Sequence, residues 1–280
     1  LYNLYEDLML DPILSDAIDK RIEAITNAEL VFKSPNGEAV AEIDDLMDTP
    51  EFEDMLTEIM QAKFWGISLL EFDFSDGFSF NSIPRKHIRP ATKQIALNES
   101  DDGGPSYLDN DSFIEVGKNN DLGLILKAAP YVIYKRGGFG DWAEYAEIFG
   151  MPFQVAKYNN YDEATRQELI RALEQSGSLR RTVIPKESDI EYKDNKSSGD
   201  GAIYDRLRVA CIQEILIGIL GQTMTTLDGS SRAQGEVHME VLESKHKADR
   251  RFVQRVLNRK LLPILENRGY PVSGGYFAFP

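Results

Sequence analysis

Cysteine and histidine, the residues of most zinc sites, are scarce among the 280 residues. The sequence has one cysteine, Cys211, and three histidines. A single cysteine excludes an internal disulfide, which is typical of a protein that folds in a reducing compartment. Neither a His-Glu-x-x-His spacing nor a cysteine pair occurs, so the pattern offers no zinc site. We therefore expect no metal and no cofactor, and we expect Cys211 to be buried in an apolar helix.

Long apolar runs are also absent, although 42% of the residues are hydrophobic. No stretch reaches the roughly 18 apolar residues that a membrane-spanning helix needs, so we expect no membrane partner. The opening residues lack the basic and apolar segments of a signal peptide. From their abrupt start we expect the chain to have been trimmed from a longer protein. The composition as a whole is that of an ordinary globular protein.

Basic residues are scarce in the first part of the chain. Residues 1–60 hold 16 acidic and 3 basic residues, whereas residues 61–280 hold 30 acidic and 28 basic residues, and the net charge is −15. Tight binding to a phosphate backbone depends on Lys and Arg. If the protein contacts DNA, we expect it to do so without binding the phosphate backbone tightly. The simpler interpretation, a solvated acidic face, stays open.

The first part of the chain is predicted to be an α+β domain. Asp11-Pro12 and Thr49-Pro50 are typical of helix starts, because a capping side chain precedes a proline in the first turn. Gly66 is expected to end the second helix. Apolar and aromatic runs then predict an antiparallel strand pair. The expected elements are helices over 11–26 and 49–66 and strands over 67–74 and 78–83.

The central and last parts are predicted to be mainly helical, with one small mixed module. Apolar spacing indicates the helices, and Gly, Pro, Ser and Asn runs indicate the breaks between them. The expected elements are a helical region over 122–149 that is interrupted near Pro130 and at Gly137-Gly138, a β-α-β module over 151–193 with a further strand at 190–192, a helix over 202–220, a polar loop over 222–234, and a last helix over 233–267 that is broken or kinked near Pro263.

Two patterns hint at chemistry, and we assign neither of them a site. Residues 138–143 match G-x-G-x-x-A, but a helical run rather than a strand leads into them, which is wrong for dinucleotide binding. Asp141, Glu144 and Glu147 share one helical face, where three carboxylates could hold a metal. A solvated stripe is the alternative that we favour for these carboxylates. No arrangement of nucleophile, base and oxyanion site is evident.

Longer blocks carry a resemblance to a known family. Residues 140–158 read GDWAEYAEIFGMPFQVAKY, and residues 219–226 read ILGQTMTT, followed by GSS at 229–231 and GEVH at 235–238. A further block runs from 248 to 259, and the segments around 11–12 and 64–71 fit as well. These blocks resemble the Mu-type (Mu-like prophage) bacteriophage portal protein family, formerly a domain of unknown function. The resemblance covers most of the chain in the expected order.

The resemblance implies a phage portal fold with an α/β wing, a helical stem and a small β-α-β clip. The crown that usually follows is expected to be truncated or absent. The implied parts are a wing-like α+β domain over 1–121, a stem segment over 122–150, a clip over 151–193, a stem return helix over 194–221, a channel-facing loop over 222–234, and a C-terminal wing helix over 235–280.

The resemblance also implies a structural function and no enzymatic one. Portal subunits form a ring, usually of twelve, at a capsid vertex, through which double-stranded DNA is packaged and ejected without sequence specificity. The implied partners are the terminase large subunit, tail-joining proteins and capsid proteins, and the implied location is the virion, with the host cytoplasm during assembly. The alternatives are a phage-encoded metal-dependent DNA-processing enzyme and a monomeric virion adaptor.

The resemblance further assigns roles to individual residues. It implies that the channel-facing loop presents Gln222, Thr223, Met224, Thr225, Thr226, Ser230 and Ser231. It implies that neighbouring subunits pack through Trp142, Tyr145, Phe149, Ile215 and Ile219.

Overall fold

Two compact units make up the chain. The computed structural model describes residues 1–108, 110–149, 154–159, 162–175, 181–186, 202–223 and 232–280. The first unit comprises Leu1–Ile133 and Ile212–Pro280, and the second comprises Tyr134–Cys211. Because the first unit is assembled from both ends of the chain, its core depends on contacts that are distant in sequence.

Local signals determine where the helices of the first unit begin. The Asp11 carboxylate accepts hydrogen bonds from the main-chain N–H groups of Ile13 and Leu14, and the Thr49 hydroxyl accepts one from Phe52. Each cap is followed by a proline, which confirms the two predicted starts. The helices are α1 Tyr2–Leu8, α2 Pro12–Thr26, α3 Ala41–Met47 and α4 Pro50–Trp65.

Small antiparallel sheets complete the first unit. The strands are β1 Val31–Lys33, β2 Ile67–Asp73, β3 Ser79–Ser82, β4 Ile88–Arg89, β5 Gln94–Ile95, β6 Phe113–Gly117 and, near the end of the chain, β9 Tyr276–Ala278. The largest sheet has the order β3-β2-β6, so the predicted strand pair is confirmed and β6 is added to its other side. Two further pairs are β1-β9 and β4-β5.

The pair β1-β9 joins the two ends of the chain. Phe32 lies opposite Phe277, and their ring centroids are 5.3 Å apart. The side chain of Asn258 donates to the carbonyl of Phe277 and accepts from its N–H. Strand β9 is therefore held by main-chain pairing on one side and by a side-chain amide on the other.

Close backbone contact links the end of α4 to the segment that leads into the next helix, α5 (Ile125–Phe149). Gly66 and Gly123 both have positive φ, at 96° and 72°. A Cβ on Gly66 would lie 2.1 Å from the carbonyl oxygen of Asp121, and one on Gly123 would lie 2.0 Å from that of Phe64. Only glycine fits at either position.

Helix α5, Ile125–Phe149, runs without a break, so the predicted interruptions near Pro130 and at Gly137-Gly138 are wrong. The G-x-G-x-x-A stretch lies inside this helix. A glycine in a helix costs only about 1 kcal/mol relative to alanine, and a long helix tolerates this. Pro130 lies early in the helix, where the main-chain bond that it removes is one of many.

The second unit contains the predicted β-α-β module. Strands β7 (Gln154–Tyr158) and β8 (Arg181–Pro185) pair in parallel, and α6 (Glu163–Gln175) connects them. Asp162 caps α6 by accepting a hydrogen bond from the Thr165 N–H. The further strand expected at 190–192 lies outside the described residues.

Two long helices follow in sequence. Helix α7 is Ala202–Leu220, and α8 is Arg232–Val256. Cys211 is buried in α7 as expected, and burial raises the pKa of its thiol. A π-helical turn, Leu257–Leu261, separates α8 from α9, Leu262–Asn267. The predicted kink near Pro263 is thus a π turn just before that proline.

Candidate functional site

The segment between α7 and α8 is anchored at its base. Helix α7 ends at Gly221, whose φ is 79° and whose N–H donates to the carbonyls of Leu216 and Ile217 at 3.2 and 3.0 Å. Gln222 is buried and Thr223 is half-buried. The other residues predicted to face a channel, Met224, Thr225, Thr226, Ser230 and Ser231, lie outside the described residues.

A buried ionic cluster connects both helices that flank this segment. Arg21 of α2 donates to both carboxylate oxygens of Asp249 in α8, at 2.9 and 2.7 Å. Its third contact, at 2.9 Å, is with the carbonyl of Ile219 in α7. Lys63 of α4 donates to the same carboxylate. We call Arg21, Lys63, Asp249 and the Ile219 carbonyl the loop anchor.

The loop anchor is enclosed by aromatic and apolar side chains. Asp249 is 0% exposed and Arg21 is 3% exposed. The Arg21 guanidinium lies 5.3 Å from the Phe64 ring centroid, and the Lys63 ammonium lies 5.1 Å from that of Phe252. Removing charges from water costs several kcal/mol per ion, so such a cluster persists only when hydrogen bonds and partners offset that cost. Here a bidentate pair and cation–π contacts supply them.

The surroundings of the loop anchor disfavour additional positive charge. Burial lowers the pKa of Lys245, and the positive charge of Arg21 lowers it further. Burial also lowers the pKa of His246, which the nearby Glu243 carboxylate opposes only in part. The environment of the loop anchor therefore favours the neutral forms of Lys245 and His246, its neighbours on α8.

Exposed apolar side chains mark the helices of both units. In the first unit they lie on α5, α7 and α8, and in the second they lie on α5 and α7. Large exposed apolar surface on helices is typical of protein–protein contact sites. In the first unit these residues are Leu126, Ile133, Ile217, Met239 and Val241, and in the second they are Tyr134, Phe139, Ile203 and Leu207.

The residues predicted to pack between subunits fall into two groups. Trp142 and Tyr145 are half-buried, with ring contacts to Phe139 at 6.2 Å and to Tyr204 at 5.6 Å. Phe149 is the last residue of α5, and its side chain lies outside the described part of the chain.

Ile215 and Ile219, by contrast, are 0% exposed within the first unit. Their side chains pack against their own chain, which corrects the expectation that they contact a neighbour. Helix α7 is apolar nearly all round, so the sequence alone did not reveal which side faces the core. Ile217, on the same helix, is the residue that is exposed.

The carboxylates considered for a metal do not form a site. Asp141, Glu144 and Glu147 are all exposed on α5. Among the residues that the structure describes, no group of three or more His, Cys, Asp or Glu side chains is arranged to hold a metal ion. The described residues therefore give the metal-dependent enzyme alternative no geometric support.

None of the helices within the described ranges combines the length and hydropathy that crossing a bilayer requires.

Comparison with known families decides the assignment. The model of the family described as the portal protein of Mu bacteriophage matches residues 2–280. The chain belongs to this family. The resemblance found in the sequence blocks is thereby confirmed.

Individual relatives agree with the family match. The chain is 26% identical over 278 residues to the Mu-like prophage FluMu protein gp29 of Haemophilus influenzae, covering 89% of this chain and 53% of that protein. It is 33% identical over 159 residues to the portal protein of Escherichia phage Mu, covering 54% of this chain and 29% of that protein. The chain thus spans about half of the first relative's length and less than a third of the second's.

Two solved structures match the chain at low sequence identity. A chain in the neck of an empty GTA particle matches with a TM-score of 0.57 and 13% identity, covering 98% of this chain and 83% of that one. An HK97 family phage portal protein from Corynebacterium diphtheriae matches with a TM-score of 0.46 and 14% identity, covering 98% and 94%. Together with the family match, the first of these confirms the α+β portal fold class.

Sequence reasoning did not find the loop anchor. Arg21 was visible as a charged residue among Ile18, Ile22 and Ile25 on the apolar face of α2. A charge in that position is rarely left buried without a partner. Its partner Asp249 is 228 residues away, and no local pattern connects the two.

Proposed function

We propose that the chain is a subunit of a portal ring at a capsid vertex, through which phage DNA is packaged and ejected. The family match over residues 2–280 is the observation that carries the proposal. The role is structural, so no catalytic site is required. Neither the metal-dependent enzyme nor the monomeric adaptor is favoured, because portal membership calls for neither.

The loop anchor supports this proposal physically. A loop that borders moving DNA needs flanking helices that do not shift when the loop is pushed. In the first unit, Arg21 connects Ile219, at the end of α7, to Asp249, which lies well inside α8. We propose that residues 222–234 face the channel and that the anchor holds the α7 end of this loop in place.

The exposed apolar residues support assembly into a ring. Side chains such as Ile203, Leu207 and Phe139 are costly to leave in water, and burying the exposed part of each one against a neighbour contributes part of the roughly 1.5–3 kcal/mol that full burial of such a side chain supplies. We propose that Trp142, Tyr145 and these exposed residues contribute to subunit contacts. The wing, stem and clip assignments belong to the same proposal.

The net charge of the chain supports a channel through which DNA slides without being bound tightly. Each chain carries −15, so twelve copies carry about −180. An acidic bore repels phosphate over a Debye length of about 8 Å at physiological salt. We propose a ring of twelve that contacts double-stranded DNA without sequence specificity, and the terminase large subunit, tail-joining proteins and capsid proteins as partners. Assembly would take place in the host cytoplasm.

Imaging and mass measurement test the proposal directly. Negative-stain images of the purified protein should show rings with a central pore, and light scattering should give the mass of a multi-subunit ring. A protein that is monomeric at every concentration would contradict the portal function. Incubating plasmid DNA with the protein and Mg²⁺ or Mn²⁺ should leave the DNA uncut, whereas cleavage would favour the enzyme alternative.

A further inference from the structure

Three arginines form an exposed row along the end of α8 and the π turn. Arg251, Arg255 and Arg259 follow one another at intervals of four residues. With Gln254 and Asn258 they line a groove of about 460 Å³ on the first unit. We call Arg251, Arg255 and Arg259 the arginine row.

The arginine row has no acidic partner among the residues that the structure describes. All three side chains are exposed, and among the described residues no carboxylate forms an ion pair with any of them. Within the row, Arg255 Nε donates a hydrogen bond to the main-chain carbonyl of Arg251 at 3.0 Å. Like charges four residues apart on a helix repel each other. A row of this kind is therefore slightly unfavourable in an isolated subunit and calls for an acidic partner.

The same unit carries an acidic surface with the opposite imbalance. Helix α3 and the first turn of α4 present seven exposed carboxylates, and no basic residue occurs anywhere from 34 to 62. No ion pair involving these seven is found within the described residues. We call this surface the acidic helix pair. Its members are Glu42, Asp44, Asp45, Asp48, Glu51, Glu53 and Asp54.

We propose that the arginine row of one copy docks on the acidic helix pair of the next copy. The inference rests on the proposed ring function. In a closed ring of identical subunits each contact is head-to-tail, so two different surfaces of the chain must fit each other. One such contact compensates both charge imbalances at once, and it repeats around the ring.

The groove is suited to a fixed contact. Asn258, which lines the groove, is held by two hydrogen bonds to the main chain of Phe277 in β9. The arginines therefore extend from a helix whose position is secured by the β1-β9 pair. Arginine is the residue best suited to carboxylate contacts, because its planar guanidinium donates two parallel hydrogen bonds.

Duplex DNA is the other possible occupant, and the charges favour it less. Affinity for DNA grows with the number of phosphates neutralised, and three arginines on a chain of net charge −15 give a small number. DNA would also leave the acidic helix pair without a partner. A second copy of the chain satisfies both surfaces.

Charge reversal and its rescue test the contact. One variant carries Arg251→Glu and Arg255→Glu, a second carries Asp44→Lys and Asp45→Lys, and a third combines all four changes. The readouts are the fraction of chain in rings by light scattering and negative stain, with thermal unfolding as a check on folding. Each two-site variant should lower that fraction at least about tenfold, and the combined variant should restore it, because the complementarity is then inverted rather than lost.

A matched control changes the same amount of charge elsewhere. Lys118→Glu with Lys127→Glu reverses two exposed bases of the first unit that lie outside the arginine row and form no ion pair within the described residues. Assembly of this control should equal that of the wild type. Raising salt from about 0.15 M to about 1 M should weaken wild-type rings and reduce the differences among variants, since screening shortens the range of the attraction.

The outcomes separate this inference from the portal function. Rings from the wild type and from both two-site variants would overturn the docking contact and leave the portal function standing, as would a combined variant that fails to reassemble. A wild type that forms no ring would overturn both. If the wild type retards a DNA duplex on a gel, and Arg251→Glu with Arg255→Glu abolishes this without affecting rings, the row binds DNA and the docking contact is wrong.

Discussion

Asp249 accepts charged hydrogen bonds from two basic residues although none of its surface reaches solvent. Replacing it by alanine leaves the Arg21 guanidinium buried without its partner. Breaking a buried pair in this way costs about 3–5 kcal/mol. We expect Asp249→Ala to lower the free energy of unfolding by that amount, measured by urea denaturation of the purified protein.

The control for this prediction is Asp16→Ala. Asp16 pairs with Lys20 on the surface of α2, and such exposed pairs contribute about 0.3–0.5 kcal/mol. Equal urea midpoints for the two variants would mean that the loop anchor does not stabilise the fold.

His246 adds a pH dependence whose sign follows from its surroundings. Burial lowers the pKa of His246 in the folded protein below its ordinary value of about 6.5. The folded state thus favours the neutral imidazole. The protein keeps its full stability above the ordinary pKa, and it loses stability as the pH falls from there through the lower pKa of the folded state. We expect His246→Gln to lose less stability than the wild type between about pH 7 and pH 5. Parallel thermal unfolding curves of the two proteins across that range would contradict this.

At the scale of single elements, the join between α4 and α5 depends on glycine. Gly123 has a φ of 72°, and a Cβ there would meet the carbonyl of Phe64 at 2.0 Å. Left-handed backbone costs a non-glycine residue about 1–2 kcal/mol, and the clash adds to this. We expect Gly123→Ala to destabilise the protein by more than that strain alone, measured by chemical denaturation.

Gly37→Ala is the control, because Gly37 has a φ of 73° but open space around it. If both variants lost the same stability, the close approach at Gly123 would have no energetic weight.

The elements predicted correctly are those with local signals. Helices α2 and α4 have a capping residue, a proline and a regular apolar stripe within a few turns, and α6 has a cap of the same kind. Strand β9 was not predicted, because its three residues become a strand only through pairing with β1, nearly the whole chain away. The continuity of α5 was missed because proline and glycine weaken a helix locally without forcing it to end.

The candidate site shows the same division between local and distant information. The polar segment after α7 is visible in composition, and its position between two helices was predicted correctly. The anchor beneath it was not predicted, since its charged members come from α2, α4 and α8. The side of α7 that faces the core was also undetermined, because Ile215, Ile217 and Ile219 look alike in sequence.

At the scale of the whole molecule, α7 offers a direct test of folding against assembly. Ile215 is 0% exposed and Ile217 is 48% exposed, on the same helix two residues apart. Ile215→Asp places an unpaired charge in the core, which costs several kcal/mol, so we expect a poorly folded protein. Ile217→Asp should change the stability of the subunit by no more than about 0.5 kcal/mol, as exposed substitutions do. If Ile217 packs against a neighbour, however, the same change should reduce the fraction of chain in rings. Thermal unfolding and light scattering on both variants separate the two effects, and full ring assembly by Ile217→Asp would remove this side of α7 from the subunit interface.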